Sequence, residues 1–94
     1  MNWSEKAEAD LDDIWNYTER KWGEEQADKY LAGLNAAIGS DRPRKLRARP
    51  IDFVAAGLWR MRYVRHYLYF RYTDEDIHVE RVLHDSMDET LHIP

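Results

Sequence analysis

Arg81 and His84 stand three residues apart in the last quarter of the chain, with Arg60 and Arg62 upstream of them. These types could cleave RNA. Such a site needs one group to take the proton of a 2′-hydroxyl and a cation to hold the charge that builds on the phosphate oxygens. His84, with an ordinary pKa of about 6.5, can serve as acid or base. Arg81, Arg62 or Arg60 can supply the cation. The spacing argues against it. On a strand, residues three apart point to opposite faces unless a bulge intervenes, and no second acid–base group stands beside the pair. The plainer expectation is that His84 hydrogen-bonds the C-terminal tail while Arg81 pairs with Asp85 or Asp88. His66, His78 and His92 show no metal-ligand spacing, and the chain has no Cys, so neither a metal nor a disulfide is expected. No Gly-rich phosphate loop and no nucleophile–base pair is visible, and no cofactor is expected.

Charge is sorted along the chain more sharply than its net value of -4 suggests. Residues 1–41 carry 4 basic and 10 acidic groups, residues 42–72 carry 9 and 1, and residues 73–94 carry 1 and 7. The central block is a candidate docking surface for something anionic. It can equally be neutralised by the acidic ends once the chain folds, and the counts leave the two readings even.

The elements that would position these groups follow from periodicity. Met1-Asn2-Trp3 reads as a very short strand. Ser4 is a good N-cap, and Ala7, Leu11, Ile14, Trp15, Thr18 and Trp22 mark one face of a helix over about residues 4–21, with Asp10, Asp12 and Asp13 on the polar face. Trp22-Gly23 breaks the pattern. A second helix runs from Glu24 to Gly39-Ser40 with Ala27, Tyr30, Leu31, Leu34 and Ile38 inward, and the short connection predicts an antiparallel hairpin. Residues 40–57 are basic, contain two prolines and read as a loop with at most a short turn of regular structure. Leu58–Val64, Tyr67–Tyr72 and Ile77–His84 read as three strands, and Asp85–Pro94 has no firm pattern. The fold class is α+β: a short strand, a helical hairpin, then a three-stranded antiparallel meander covered on one face by the helices.

Ninety-four residues suit one domain, over 1–94, with one modest core and no room for a large internal cavity. Such a protein would act with its surface. Four Trp, six Tyr and two Phe supply burial and interface anchors. Trp15 and Tyr30 are expected in the core. Tyr67 and Tyr69 alternate with Leu68 and Phe70, so one pair should face the helices and the other solvent or a partner. The polar, acidic start is no signal peptide, and no apolar run is long enough to span a bilayer. The expected location is the cytoplasm, away from membranes.

Ser4-Glu5-Lys6-Ala7-Glu8-Ala9-Asp10-Leu11, then Ile14-Trp15, Tyr17, Trp22-Gly23, Gln26-Ala27, Tyr30 and Leu34, together with Arg81-Val82-Leu83-His84 and Met87-Asp88, resemble the ParE branch of the RelE/ParE toxins of bacterial toxin–antitoxin pairs. The likeness covers about residues 4–38 and 58–92. It departs from the usual pattern at Gly39, which cuts the second helix short, and in the unusually basic loop. The resemblance implies a helical hairpin on a small antiparallel sheet. It implies a ParD-like antitoxin that wraps the toxin with an acidic C-terminal segment, and DNA gyrase as the target, inhibited by binding rather than by catalysis. Sequence-specific DNA binding by the toxin alone is not implied. The contact surface expected on this basis is Arg44, Lys45, Arg47, Arg60, Arg62, Arg71, Arg81, His84, Met87 and Asp88. The RelE branch would instead imply a ribosome-dependent mRNA endoribonuclease using Arg62, Arg81 and His84. A degenerate toxin that keeps only antitoxin binding is the third expectation.

Overall fold

A computed structural model describes residues 1–93. Its elements are β1 (Asn2–Trp3), α1 (Glu5–Trp22), α2 (Glu24–Gly39), α3 (Asp41–Arg47), β2 (Arg49–Pro50), β3 (Trp59–Tyr63), β4 (His66–Tyr72), β5 (Ile77–His84) and α4 (Glu89–His92). The Ser4 hydroxyl oxygen accepts from Ala7 N–H at 3.0 Å and donates to the Glu80 carbonyl at 2.7 Å. One side chain thus caps α1 and ties its start to β5. Gly23, at φ 91°, closes α1 with its N–H on the Glu19 carbonyl and opens α2 with its own carbonyl on Ala27 N–H. Only glycine adopts that backbone freely, so α2 folds straight back along α1.

The expected meander is present: β3, β4 and β5 pair antiparallel in sequence order. Two short edge strands widen it to five in the order β1-β5-β4-β3-β2, with β1 parallel to β5 and β2 antiparallel to β3. Both sheet faces are buried. Leu68 and Phe70 point to the helices and join Met61, Val79 and Val82 against Ile14, Leu34 and Ile38. Tyr69 and Leu83 point the other way and pack with Ile51, Leu58 and Ile93, under the 51–58 loop and the C-terminal segment.

Three details differ from the sequence reading. The stretch read as loop holds α3 and β2. Pro43 is tolerated in the first turn of α3, where backbone N–H groups lack helical partners anyway, and Pro50 lies on an edge strand. The patternless tail holds α4, capped by Asp88, whose Oδ1 accepts from Thr90 N–H at 3.0 Å. Trp15 is half-buried between the helices, its indole N–H donating to Asp28 at 2.9 Å, rather than in the core.

Candidate functional site

Two adjoining clefts of about 530 and 450 Å³ share Tyr17, His66 and His84 and together form one groove. One wall is a stripe of α1 at helical spacing: Asp10, Asp13, Ile14, Tyr17, Lys21 and Trp22. It runs for about 18 Å at the helical rise. The other wall is the end of β5, the start of β4, the Val64–Arg65 turn between β3 and β4, and the segment after β5 with Ser86 and Met87. The groove exists because β1 stops after two residues. It pairs with β5 only at His78 and Val79, leaving the edge of β5 beyond it without a strand neighbour.

Asp10 fills part of that gap. Its carboxylate accepts from Val82 N–H at 2.9 Å and takes the Arg81 guanidinium in two bonds of 2.8 and 3.0 Å. An otherwise unpaired strand N–H is satisfied by a side chain, and the geometry is the strong fork-to-carboxylate kind. Arg81 also donates to the His92 carbonyl at 3.2 Å, which secures the C-terminal segment.

At the middle of the groove lies an aromatic cluster. The Tyr30 hydroxyl sits 2.7 Å from His66 Nδ1, 3.3 Å from the Tyr63 carbonyl and 3.4 Å from Arg65 N–H, which donates to it. The His66 and His84 rings meet edge to face at 5.4 Å. Burial, reinforced by His84 and only partly opposed by Asp85, pushes the His66 pKa down to about 4. His66 is therefore neutral at physiological pH. His84 Nδ1 lies 2.7 Å from the Ser86 hydroxyl, 3.1 Å from Ser86 N–H and 3.3 Å from an Asp85 carboxylate oxygen. Toward the hairpin end the groove becomes exposed, apolar and cationic. Trp22 is 64% exposed and Tyr17 49%, with Lys21 Nζ 5.3 Å from the Tyr17 ring centroid and 5.7 Å from that of Trp22. Val64, 61% exposed at φ 51°, stands on the opposite rim. Exposed Trp, Tyr and cationic side chains around a cleft are the composition of a protein-binding hot spot.

The structure distributes the sequence-selected residues rather than gathering them. Arg81, His84 and Met87 line the groove. Arg44 is buried and structural, donating to the Ile38 carbonyl at the end of α2 at 2.7 Å and to Asp41 at 2.6 Å. Arg60 pairs with Glu89 at 2.9 Å across the Tyr67 ring, and Arg62 pairs with Asp85 at 2.7 Å. Arg71 pairs with Glu80 at 2.7 Å and donates to the Ala56 carbonyl. The central cations are thus largely neutralised by the acidic ends. Lys45 and Arg47 remain exposed on α3, and Asp88 caps α4. Arg81 finds its partner in Asp10 of α1, not in Asp85 or Asp88. The sheet has an irregularity where Glu80 is skipped, but register is regular from Arg81 to His84. Strand alternation alone would put those two side chains on opposite faces, yet both line the same cleft, Arg81 turning at the edge of β5 to Asp10, while Asp85 holds Arg62 at 2.7 Å and stands 3.3 Å from His84 Nδ1. Among the described residues no group of three or more His, Asp or Glu could hold a metal, and no helix is long and apolar enough to cross a membrane.

Sequence reasoning missed Tyr17, Lys21, Val64 and His66 as groove residues. The signal for the first two was present: Tyr17 and Lys21 border the apolar stripe of α1 at spacing four. Val64 and His66 flank a turn whose apposition to α2 only the fold provides.

The comparisons with known proteins agree with this architecture. The family described as "ParE toxin of type II toxin-antitoxin system, parDE" matches residues 1–89. Toxin ParE1 of Caulobacter vibrioides is 37% identical over 90 residues, covering 96% of this chain and 93% of that one. Toxin ParE1 of Mycobacterium tuberculosis is 37% identical over 86 residues, covering 90% and 88%. A solved structure described as "Chromosomal ParDE TA system from P. aeruginosa" superposes with a TM-score of 0.66 at 22% identity, covering 88% of this chain and 91% of that one, a likeness of fold. With a match over nearly its whole length and relatives at this identity, the chain belongs to the ParE toxin family of type II toxin–antitoxin systems.

Proposed function

We propose that the protein is a toxin that acts by binding another protein, that its target is DNA gyrase, and that a ParD-like antitoxin neutralises it by occupying the α1 groove. The observation that carries this reading is the kinship along the chain with ParE toxins, joined to a surface built for binding rather than catalysis. The groove offers Tyr17 and Trp22 as large anchors beside Lys21 and Arg65, and these cations suit the acidic segment expected of the antitoxin. The endoribonuclease reading needs Arg62 and Arg81 to meet a phosphate, and the carboxylates of Asp85 and Asp10 already hold those two guanidiniums.

Induced expression in a bacterium tests the target, scored in parallel for DNA-damage (SOS) induction and bulk translation. Early DNA damage with translation intact, and loss of gyrase supercoiling on adding purified toxin, are expected. Early translation arrest with cleaved mRNA sinks the gyrase reading, and no growth defect despite folded protein indicates a degenerate toxin. The groove has its own test. Trp22→Ala and Tyr17→Ala should each weaken antitoxin binding by about 10-fold or more while leaving thermal stability nearly unchanged. Unchanged affinity in both moves the antitoxin elsewhere.

A further inference from the structure

The ion pairing that neutralises most of the central basic block stops short of one place. Arg42, Lys45 and Arg47 on α3 and Arg49 on β2 are all exposed. Among the described residues no carboxylate pairs with any of them: Asp41 is taken by Arg44, Glu89 by Arg60, Asp85 by Arg62 and Glu80 by Arg71. Four free cations within eight residues therefore stand on a protein whose net charge is -4. Arg49 is also held in place, its Nη1 donating to the carbonyls of Leu46 and Ala48 at 3.2 and 2.9 Å. A guanidinium anchored through one nitrogen still offers its remaining donors outward. Cations near the C-terminal end of a short helix do complement its dipole, but that term falls off within a turn and accounts neither for Arg42 in the first turn nor for Arg49 beyond the helix.

The form of the surface selects its ligand. None of the four residues lines either cleft, and all four side chains are exposed on α3 and the strand that follows it. An acidic peptide would need a groove or a pairing strand. β2 is only two residues long and ends in Pro50, which has no N–H to offer a partner strand. Single-stranded nucleic acid likewise wants a channel. A duplex presents rows of phosphates on a convex backbone, which a ridge of Arg and Lys meets without any concavity. The acidic first 41 residues repel the same polyanion, which favours approach from the α3–β2 side.

We infer that the α3–β2 ridge of Arg42, Lys45, Arg47 and Arg49 is a sequence-independent contact for the phosphate backbone of duplex DNA, separate from the groove. Neither the groove nor the identity of the toxin's target is needed for this claim.

Fluorescence anisotropy of a labelled duplex of about 20 bp, titrated with the purified chain across a salt series, tests it. Four neutralised phosphates give a log–log salt slope near -3.6, so affinity should fall about 50-fold between about 50 and 150 mM salt. The variant carrying Arg42→Gln, Lys45→Gln, Arg47→Gln and Arg49→Gln should lose about 10-fold or more in affinity, and each single substitution should reduce the slope by about one. Because Arg49 also braces the end of α3, the variant without Arg49→Gln carries the test if circular dichroism shows the fourfold variant unfolded. Lys6→Gln on α1 should change nothing. Three results overturn the proposal: no binding at about 20 mM salt, a slope insensitive to the ridge substitutions, or polyglutamate that competes as well as DNA at equal charge. The last would make the ridge a dock for acidic protein.

Discussion

Among single residues Asp10 has most to hold. It keeps a guanidinium and a strand N–H at once, and both lose their partner if its carboxylate goes. Asp10→Ala should cost about 2–4 kcal/mol in urea unfolding, because a half-buried cation and a backbone donor are left unsatisfied. Asp10→Ala in an Arg81→Ala background should cost clearly less, and a double-mutant cycle reads the coupling. His66 sets a pH response. The unfolded histidine protonates at its ordinary 6.5 and the folded one at about 4, so the unfolded chain takes up the proton first. Stability from this group is complete above pH 6.5 and is lost as pH falls toward 4. With solvent reaching the ring, the loss is about 1–2 kcal/mol. The ring faces Tyr30 of α2, Tyr63 of β3, His84 of β5 and Asp85 after it. Urea midpoints of wild type and His66→Gln should therefore converge as pH drops through that window. Neither residue's role was legible in the sequence. Asp10 read as one more acid on the polar face of α1, since nothing local announces that β1 will stop and expose β5.

At the scale of elements, most of the fold was legible. The hairpin of α1 and α2, the break at Gly23 and the three-strand meander all follow from periodicity and turn chemistry. What escaped were elements too short to show a period: α3, β2 and α4. Their positions depend on side-chain anchors that no period announces, the local bond of Arg44 to the Ile38 carbonyl and the distant ones of Glu89 to Arg60 and Tyr69. The β3–β4 turn carries strain that sequence did not reveal. A β-branched residue at φ 51° is an outlier, and Val64 is exposed enough to gain little burial in return. Val64→Gly should raise stability by about 0.5–1 kcal/mol, measured by thermal or urea unfolding. The same change removes an apolar rim from the groove and should weaken antitoxin binding. Stability gained with binding lost would identify Val64 as a contact residue held at an energetic cost. Packing between α2 and β3 is close at Gly33, where a Cβ would collide with the Tyr63 hydroxyl. Gly33→Ala should destabilise by about 1–3 kcal/mol and disturb the Tyr30 cluster beside it.

The whole molecule is a sheet with two buried faces, closed at both ends of the chain. α4 and Ile93 cover Tyr69 and Leu83 on the far face, fastened by Glu89 to Arg60 and Tyr69 and by the His92 carbonyl to Arg81. Cutting the chain before Glu89 should uncover that second core, so the shortened protein should bind a hydrophobic dye and melt at lower temperature. The candidate site was partly legible at this scale. The charge blocks foretold extensive ion pairing, but which cations would be consumed depended on the fold. The shortness of β1 has a further consequence, in time rather than space. Its two residues pair with His78 and Val79, and Ser4 reaches Glu80, so the first strand made can be placed only after nearly the last. During synthesis α1 and α2 emerge without the sheet that buries their inner face. The hairpin must wait, apolar side outward, until residues 77–84 have left the ribosome. Contacts this remote in sequence make closure slow relative to helix formation. If an antitoxin binds as proposed, one already present in the cell would meet the α1 wall of the groove before the chain has finished folding.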